Sequence, residues 1–337
     1  MSVQRVQQRQ VPAAVMVVRR RQWNLATVHF VAAAGELVDD ETAIVQVADQ
    51  LRPRRSVLYM PAANERALEK AKSIPADALI LDLEDAVAPD AKADARARVT
   101  EAVEARAFGP REVVVRVNAM DTPWGRDDLE AAVAAGPHAI LIPKVSRPED
   151  IVSAAEALAA GPAGTRLWAM METPTAILNA HAIAAAGHRL SCLVMGTNDL
   201  LKETRARPDA GRLALVPWLS ACVLAARANG LDVLDGVYND FRDEAGFRAE
   251  CEQGRTLGMD GKTLIHPAQI GPCNDIFSPS EAEVERARAI IAAFERPENA
   301  AQGVITVDGR MVERLHLEMA RRTVAITDAI AKLQEAA

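Results

Sequence analysis

The sequence predicts an α/β protein built as a (β/α)8 TIM barrel with a C-terminal helical appendage. Eight short apolar runs alternate regularly with helical patterns, which indicates a parallel sheet with crossover helices. Each strand and helix pair is about 30 residues long, as in a barrel of this type. In addition, no Gly-x-Gly-x-x-Gly opens any of the helices, which disfavours a dinucleotide-binding sheet. A closed barrel therefore fits the pattern better than a doubly wound sheet.

The barrel is expected to occupy residues 51–278. Its predicted strands are the apolar runs at residues 56–60, 78–83, 113–117, 139–142, 167–171, 192–195, 231–234 and 263–265. Its predicted helices lie at residues 65–73, 91–106, 126–135, 148–160, 173–186, 213–229 and 243–257.

Residues 1–50 differ in composition from the rest and are predicted to be a poorly ordered N-terminal extension. The first 35 residues contain no Asp or Glu and carry several Arg and Gln. Such a composition is also compatible with a transit peptide, but Ser is scarce and helical amphipathicity is weak. We therefore place the folded chain after residue 50.

Residues 279–337 are predicted to form a lid or a segment that swaps onto a neighbouring subunit. Ser280 is a suitable N-cap for a helix over residues 281–295. A short strand at 303–307, a turn at Asp308-Gly309 and a final amphipathic helix over 311–333 complete it. A barrel does not need this segment to close.

Composition limits the possible partners and compartments. The chain has 337 residues, is 50% hydrophobic and carries a net charge of −7, which argues against a nucleic-acid partner. No apolar run approaches the roughly 20 residues that cross a bilayer, so no membrane association is expected. The four cysteines form no Cys-x-x-Cys motif, which indicates reduced thiols and a cytoplasmic protein. An anionic substrate would have to be bound by a few well-placed cations.

Two acids at neighbouring strand ends are the best candidate for a metal site. Glu172 directly follows the fifth apolar run, and Asp199 comes shortly after the sixth. The carboxyl ends of parallel barrel strands meet at one mouth, where active sites are built. Two carboxylates suit Mg²⁺, which keeps several waters and can polarise a keto group. Either acid alone could instead cap the following helix.

Arg116 ends the third apolar run and has two possible roles. It could pair with the acids of the second run, Asp82, Glu84 and Asp85. Its guanidinium is equally suited to bidentate capture of a substrate carboxylate. Spacing alone leaves both interpretations open.

Several weaker candidates have ordinary structural explanations. Tyr59, Arg66 and Lys70 could belong to a solvated helix face, which is the usual place for exposed charge. His266, before Pro267, could start a helix or act as a general base.

Nine motifs in one order point to a family. They are RSVLYMPAANERALEKA, ALILDLEDAVAPDAKADAR, VVRVNAMDTPWGRDDL, ILIPKV, METP, GTNDL, DGVYNDFRDEAGF, GKTLIHPAQI and GVITVDGRMV. From about residue 54 to 326 the chain resembles the citrate lyase β-subunit-like CoA-ester lyases, which belong to the HpcH/HpaI aldolase superfamily with malyl-CoA and citramalyl-CoA lyases. The family's usual Gly after the first Pro is replaced here by Ala62.

The resemblance implies a TIM barrel whose C-terminal segment swaps between subunits of a homotrimer or homohexamer. It also implies Mg²⁺ bound by Glu172 and Asp199, with Asp82, Glu84 and Asp85 close by.

The resemblance further implies roles in substrate binding. The residues expected to contact the CoA ester or the 2-oxo acid are Tyr59, Arg66, Lys70, Arg116, Glu172, Ile265 and His266. Arg116 would hold the carboxylate of the 2-oxo acid, and Tyr59, Arg66 and Lys70 would contact the CoA end.

The catalytic acid/base group of the family comes from the C-terminal segment of a neighbouring subunit, where relatives often have Asp. Here that position is Glu313, whose longer side chain changes its reach. Arg116 and Glu313 are thus the expected catalytic residues.

The expected activity is Mg²⁺-dependent, reversible cleavage of a 3-hydroxyacyl-CoA such as malyl-CoA, methylmalyl-CoA or citramalyl-CoA into an acyl-CoA and a 2-oxo acid. Two alternatives remain. A site that lets water reach the thioester would make a malyl-CoA thioesterase, and the chain could also be the β subunit of an acyl-carrier-protein-dependent citrate lyase.

Overall fold

A computed structural model describes residues 51–336, and these contain a closed barrel of eight parallel strands in sequential order. The predicted fold class is confirmed. The predicted extension at residues 1–50 lies outside the described residues.

All eight predicted barrel strands are present. They are β1 (Ser56–Pro61), β2 (Ala78–Asp82), β3 (Glu112–Arg116), β4 (Ala139–Ile142), β5 (Arg166–Met171), β6 (Leu190–Met195), β7 (Asp232–Asp235) and β8 (Gly261–Leu264).

The helices surround this barrel and continue beyond it. They are α1 (Glu65–Ala71), α2 (Lys92–Glu104), α3 (Gly125–Ala135), α4 (Pro148–Ala157), α5 (Pro174–Leu178), α6 (Ala180–Ala184), α7 (Thr197–Thr204), α8 (Val216–Ala228), α9 (Glu244–Leu257), α10 (Ile270–Phe277), α11 (Glu281–Phe294) and α12 (Arg314–Glu335). Single 3₁₀ turns lie at Pro89–Ala91, Leu158–Ala160 and Pro267–Gln269.

The structure differs from the sequence prediction at several helices. Helices α7 and α10 were not predicted, and the single helix expected over residues 173–186 is divided at Asn179 into α5 and α6. Asn179 has φ −100° and ψ 10°, which does not continue an α-helix.

The last helix begins at Arg314 rather than at residue 311. Asp308 and Gly309 both have positive φ, 50° and 73°, as a tight hairpin turn requires. Residues 310–313 therefore return as strand β10 (Arg310–Glu313), antiparallel to β9 (Val304–Val307). The expected turn was correct, but the strand that follows it was missed.

Alternate residues along the strands form two apolar layers. The barrel interior is filled by Val57, Ala78, Ile80, Val114, Ala139, Leu141, Trp168, Met170, Cys192, Val194 and Leu234, with Tyr59 against them. The residues between these positions pack outward against the helices in a larger cluster. This period of two is what aims side chains at the barrel mouth.

The C-terminal segment has a small core of its own. It consists of Ala287, Ile290, Ala293, Phe294, Ile305, Val312, Leu317 and Ala320. Ser280 caps α11 by accepting from the Glu283 N–H at 3.3 Å, as expected.

Helix α12 lies against the amino ends of the strands, opposite the mouth. Arg322 pairs with Asp260 at 3.2 Å, and Asp260 directly precedes β8. The segment thus does not cover the mouth of its own barrel. A role as a lid, or exchange onto a neighbour, stays a prediction.

Within residues 51–336, no helix combines the length and apolarity needed to cross a membrane. The four cysteines are unpaired and buried, as the sequence suggested.

Candidate active site

The barrel mouth collects the polar residues that end the strands. Asp82, Arg116 and Glu172 each stand two positions after an interior core residue of β2, β3 and β5, so they point into the mouth. They line a cavity of about 350 Å³ together with Tyr59 and Asp199. The structure therefore brings together most of the predicted site.

Arg116 and Asp82 form the tightest polar contact of this cavity. They are paired residues on adjacent strands, so both side chains rise side by side. Arg116 Nε and Nη2 donate to the two Asp82 oxygens, both at 2.7 Å. Asp82 also accepts the backbone N–H groups of Glu84 at 2.9 Å and Ala86 at 3.1 Å. Its oxygens are thus occupied, so Asp82 fixes Arg116 and the following loop.

The third guanidinium nitrogen of Arg116 faces two more carboxylates. Nη1 lies 2.8 Å from Glu84 Oε2 and 3.4 Å from Asp85 Oδ2. The guanidinium carbon also sits 4.8 Å from the centre of the Tyr59 ring, a cation–π arrangement. Of the two interpretations of Arg116, pairing with these acids is the one realised in the structure.

One cation shared by three acids leaves a carboxylate poorly compensated. Burial raises the pKa of Glu84 to about 8, although Arg116 opposes this shift. Burial likewise raises the pKa of the Tyr59 phenol.

Glu172 and Asp199 are held together by a lysine. Lys144 Nζ lies 2.8 Å from Asp199 Oδ1 and 3.5 Å from Glu172 Oε2. The backbone N–H of Lys144 donates to the other Glu172 oxygen at 2.7 Å. Burial lowers the pKa of Lys144, but the hydrogen bond to Asp199 and the charge of Glu172 outweigh it, so this pKa lies above its ordinary value. Burial raises the pKa of Glu172, which is only 1% exposed.

Gly196 permits the close approach of β6 to Glu172. A Cβ at position 196 would lie 2.3 Å from Glu172 Cβ and 2.8 Å from its Oε2. Gly196 also precedes α7, whose first turn carries Asp199 near the helix N-terminus. A glycine here therefore allows both carboxylates to occupy one site.

The donor set at Glu172 and Asp199 fits Mg²⁺. An ammonium already lies between the two carboxylates, so the site accommodates positive charge. In the described part of the chain, no group of three or more His, Cys, Asp or Glu is arranged to hold a metal. A hard ion that needs few protein ligands and retains waters is the kind that such a pair can bind.

The remaining predicted substrate contacts are dispersed. Ile265 is 40% exposed and lines the cavity. Arg66 and Lys70 are exposed on α1 and do not line the cavity. His266 accepts from the Ala268 N–H at 3.2 Å and caps a 3₁₀ turn, which is the structural alternative considered above. Roles of these residues in CoA binding stay predictions.

Glu313 is not at this mouth. It is the residue before α12, and its backbone N–H donates to His316 Nδ1 at 3.0 Å. His316 lines a separate cavity, together with Arg54 and Asp260 near the amino ends of the strands. Within one chain, Glu313 therefore lies away from Arg116, and its catalytic role stays a prediction that needs a second subunit.

Two lysines at the site were not assigned roles from the sequence. Lys144 stood in the sequence only as part of the ILIPKV motif. Lys92 is buried and donates to the carbonyls of Leu83 at 2.8 Å and Glu84 at 2.6 Å, and to Asn118 Oδ1 at 2.7 Å. Its position in the ALILDLEDAVAPDAKADAR motif, close to Asp82, Glu84 and Asp85, could have indicated that Lys92 belongs to the site. Lys92 thereby fixes the loop that carries the acids around Arg116.

Comparison with known proteins gives consistent similarities. The family model described as HpcH/HpaI aldolase/citrate lyase matches residues 55–267. A (3S)-malyl-CoA thioesterase of Cereibacter sphaeroides is 57% identical over 287 residues, which cover 85% of this chain and 98% of the relative. An L-malyl-CoA/β-methylmalyl-CoA lyase of Cereibacter sphaeroides is 33% identical over 302 residues, covering 82% and 95%.

A solved structure resembles the chain in three dimensions. The CitE protein of Mycobacterium tuberculosis, in complex with magnesium, acetoacetate and coenzyme A, has a TM-score of 0.65 and 28% identity. The match covers 82% of this chain and 97% of that one.

Proposed function

Because the chain belongs to the HpcH/HpaI aldolase/citrate lyase family, we propose that it is a Mg²⁺-dependent enzyme that hydrolyses malyl-CoA to malate and CoA. The observation that carries this proposal is the 57% identity to a malyl-CoA thioesterase along nearly the whole of that relative. Carbon–carbon cleavage, which the sequence alone put first, becomes the second candidate.

Glu172 and Asp199 would hold the ion. Mg²⁺ bound there would act as a Lewis acid toward substrate oxygens. Asp82 is unsuited as a ligand, because Arg116 and two backbone N–H groups already occupy its oxygens.

Arg116 would orient the carboxylate of the malyl group. Its guanidinium lines the cavity and is held rigidly by Asp82 and by the Tyr59 ring. A preorganised guanidinium loses little freedom when it binds an anion. The apolar Met170 and Ile265 line the same cavity and would contact the carbon chain of the malyl group.

The hydrolytic step needs a base for water. We assign it to Glu313 of a neighbouring subunit in a homotrimer or homohexamer, since Glu313 lies away from the mouth of its own barrel. This carboxylate would take one proton as the water oxygen bonds to the thioester carbonyl carbon. The C–S bond would then break, and the CoA sulfur would leave as the thiolate and take up the proton.

Carbon–carbon cleavage is the second candidate because a malyl-CoA lyase is 33% identical to the chain. The same residues would serve: Glu172 and Asp199 for the ion, Arg116 for the carboxylate of the 2-oxo acid, and Glu313 to protonate the acyl-CoA carbon. The two reactions differ in which bond breaks.

Product analysis separates these reactions. The purified protein would be incubated with malyl-CoA and Mg²⁺ in H₂¹⁸O, with Glu172→Gln as the control. Hydrolysis predicts malate with ¹⁸O in one carboxylate, free CoA thiol, and neither glyoxylate nor acetyl-CoA. Glyoxylate and acetyl-CoA without labelled malate would establish cleavage instead, and full activity of Glu172→Gln would refute the metal assignment.

A further inference from the structure

Lys144 occupies an unusual position for a lysine. Its ammonium lies between the two carboxylates assigned to the divalent ion, 2.8 Å from Asp199 and 3.5 Å from Glu172. Its backbone φ is 54°, in the left-handed region that few non-glycine residues adopt. Lys144 therefore makes its contacts with Glu172 and Asp199 from an uncommon backbone conformation.

The charge balance explains these contacts. Glu172 is 1% exposed, and a second carboxylate beside it is unfavourable unless a cation intervenes. Lys144 supplies one full positive charge and also a backbone N–H to Glu172 Oε1 at 2.7 Å. The two interactions are separable, because only the first depends on the side chain.

A divalent ion and this ammonium compete for the same oxygens. Mg²⁺ binds carboxylate oxygens at about 2.1 Å and requires a nearly octahedral arrangement. An ammonium within hydrogen-bond distance of those oxygens would crowd and repel the ion.

The Lys144 side chain has space to move away from Glu172 and Asp199. It is 37% exposed, and Lys144 also lines an adjacent cavity of about 620 Å³ that includes Asp121 and Asp150. Rotation about the lysine stem would move the ammonium from Asp199 toward these acids or into solvent and would leave the backbone hydrogen bond to Glu172 in place.

We propose that Lys144 is the resident counter-cation of this site, which holds Glu172 and Asp199 together before a divalent ion binds and is displaced by that ion. Lys144 thereby weakens metal affinity and stabilises the metal-free barrel mouth. The proposal rests on the assignment of the ion to Glu172 and Asp199.

The test is direct metal binding without substrate. Mn²⁺ binding to the full-length protein would be measured by electron paramagnetic resonance for wild type, Lys144→Met and Lys202→Met. Lys202 lies exposed on α7, three residues beyond Asp199, and forms no ion pair with either acid among the described residues, so it controls for loss of nearby charge. We expect Lys144→Met to bind Mn²⁺ at least about tenfold more tightly and Lys202→Met to match wild type.

Thermal unfolding provides a second readout. Metal-free Lys144→Met should melt below wild type, since its two carboxylates then repel each other, and saturating Mg²⁺ should remove the difference. If Lys144→Met folds poorly, Lys144→Asn replaces it, because Asn tolerates the left-handed conformation and is too short to reach Asp199.

The outcomes separate the role of Lys144 from the assignment of the metal to Glu172 and Asp199. Unchanged or weaker Mn²⁺ binding by both Lys144 variants, with normal binding by wild type, would overturn the counter-cation role alone. Failure of wild type and both variants to bind Mn²⁺ would overturn the metal assignment and this proposal with it.

Discussion

Arg116 donates two parallel hydrogen bonds of 2.7 Å to Asp82, and both residues are buried at the barrel mouth. The pair joins neighbouring strands and leaves only one guanidinium nitrogen facing the other acids. This geometry decides how a substitution of Arg116 should behave.

Arg116→Lys should lower kcat/KM for malyl-CoA by about 100-fold or more. An ammonium cannot make the bidentate contact with Asp82, so the cation would no longer be held in position for the substrate carboxylate. Steady-state assays with melting curves would measure the effect. Arg126→Lys is the matched control, since Arg126 makes one exposed contact with Glu130. Near-normal activity of Arg116→Lys would contradict the role given to Arg116.

Gly196→Ala should weaken Mg²⁺ binding, because the new methyl group would meet Glu172 at 2.3 Å and displace it. We expect the Mn²⁺ dissociation constant to rise about tenfold or more. Calorimetric titration of the purified variant would measure this. Gly187→Ala adds a methyl group where no atom lies within 4 Å and should bind metal normally.

Glu84 should make stability depend on pH. Its pKa is raised by burial to about 8, so the folded chain holds a proton that the unfolded chain releases in the range below that value. Glu84 therefore increases the free energy of unfolding at low pH. This contribution is lost as the pH rises through about 8.

Glu84→Gln removes this titration. Relative to wild type, its melting temperature should improve by a few degrees between pH 6 and pH 9, measured by circular dichroism with a chelator present. Glu65→Gln, at an exposed carboxylate, should keep a constant difference from wild type across the same range. A constant difference for Glu84→Gln as well would mean that Glu84 is ionised throughout.

Glu313 should act across subunits. Glu313→Gln and Glu172→Gln should each lose activity by about 100-fold or more, since one removes the base and the other a metal ligand. Subunits of the two variants, unfolded together and refolded as a mixture, should recover about a quarter of wild-type activity per subunit, because some barrels then have an intact mouth beside an intact Glu313. No recovery in mixed oligomers, confirmed by mass spectrometry, would refute a shared site.

The strand periodicity of the sequence was sufficient to predict much of this architecture. Apolar runs located all eight barrel strands, and the strand ends located Glu172, Asp199 and Arg116 in one mouth. These predictions succeeded because side-chain direction along a strand is a local property with a period of two.

Interactions between distant residues could not be predicted in the same way. Spacing did not distinguish an ion pair at Arg116 from a free anion site, because the register between β2 and β3 determines it. Lys144 reaches acids 28 and 55 positions away, and nothing local in ILIPKV indicates that contact. Helix α7, at eight residues, is too short for a periodic apolar pattern to be clear.

The C-terminal segment has a small apolar core that contains no residue of the barrel core. We therefore expect α11, the β9–β10 hairpin and α12 to unfold together before the barrel opens. In hydrogen–deuterium exchange their amides should exchange as one group, ahead of those of the eight strands. If Glu313 is the base and Glu172 and Asp199 hold the ion, as proposed, such local unfolding would withdraw Glu313 and stop proton transfer while the metal site remained intact.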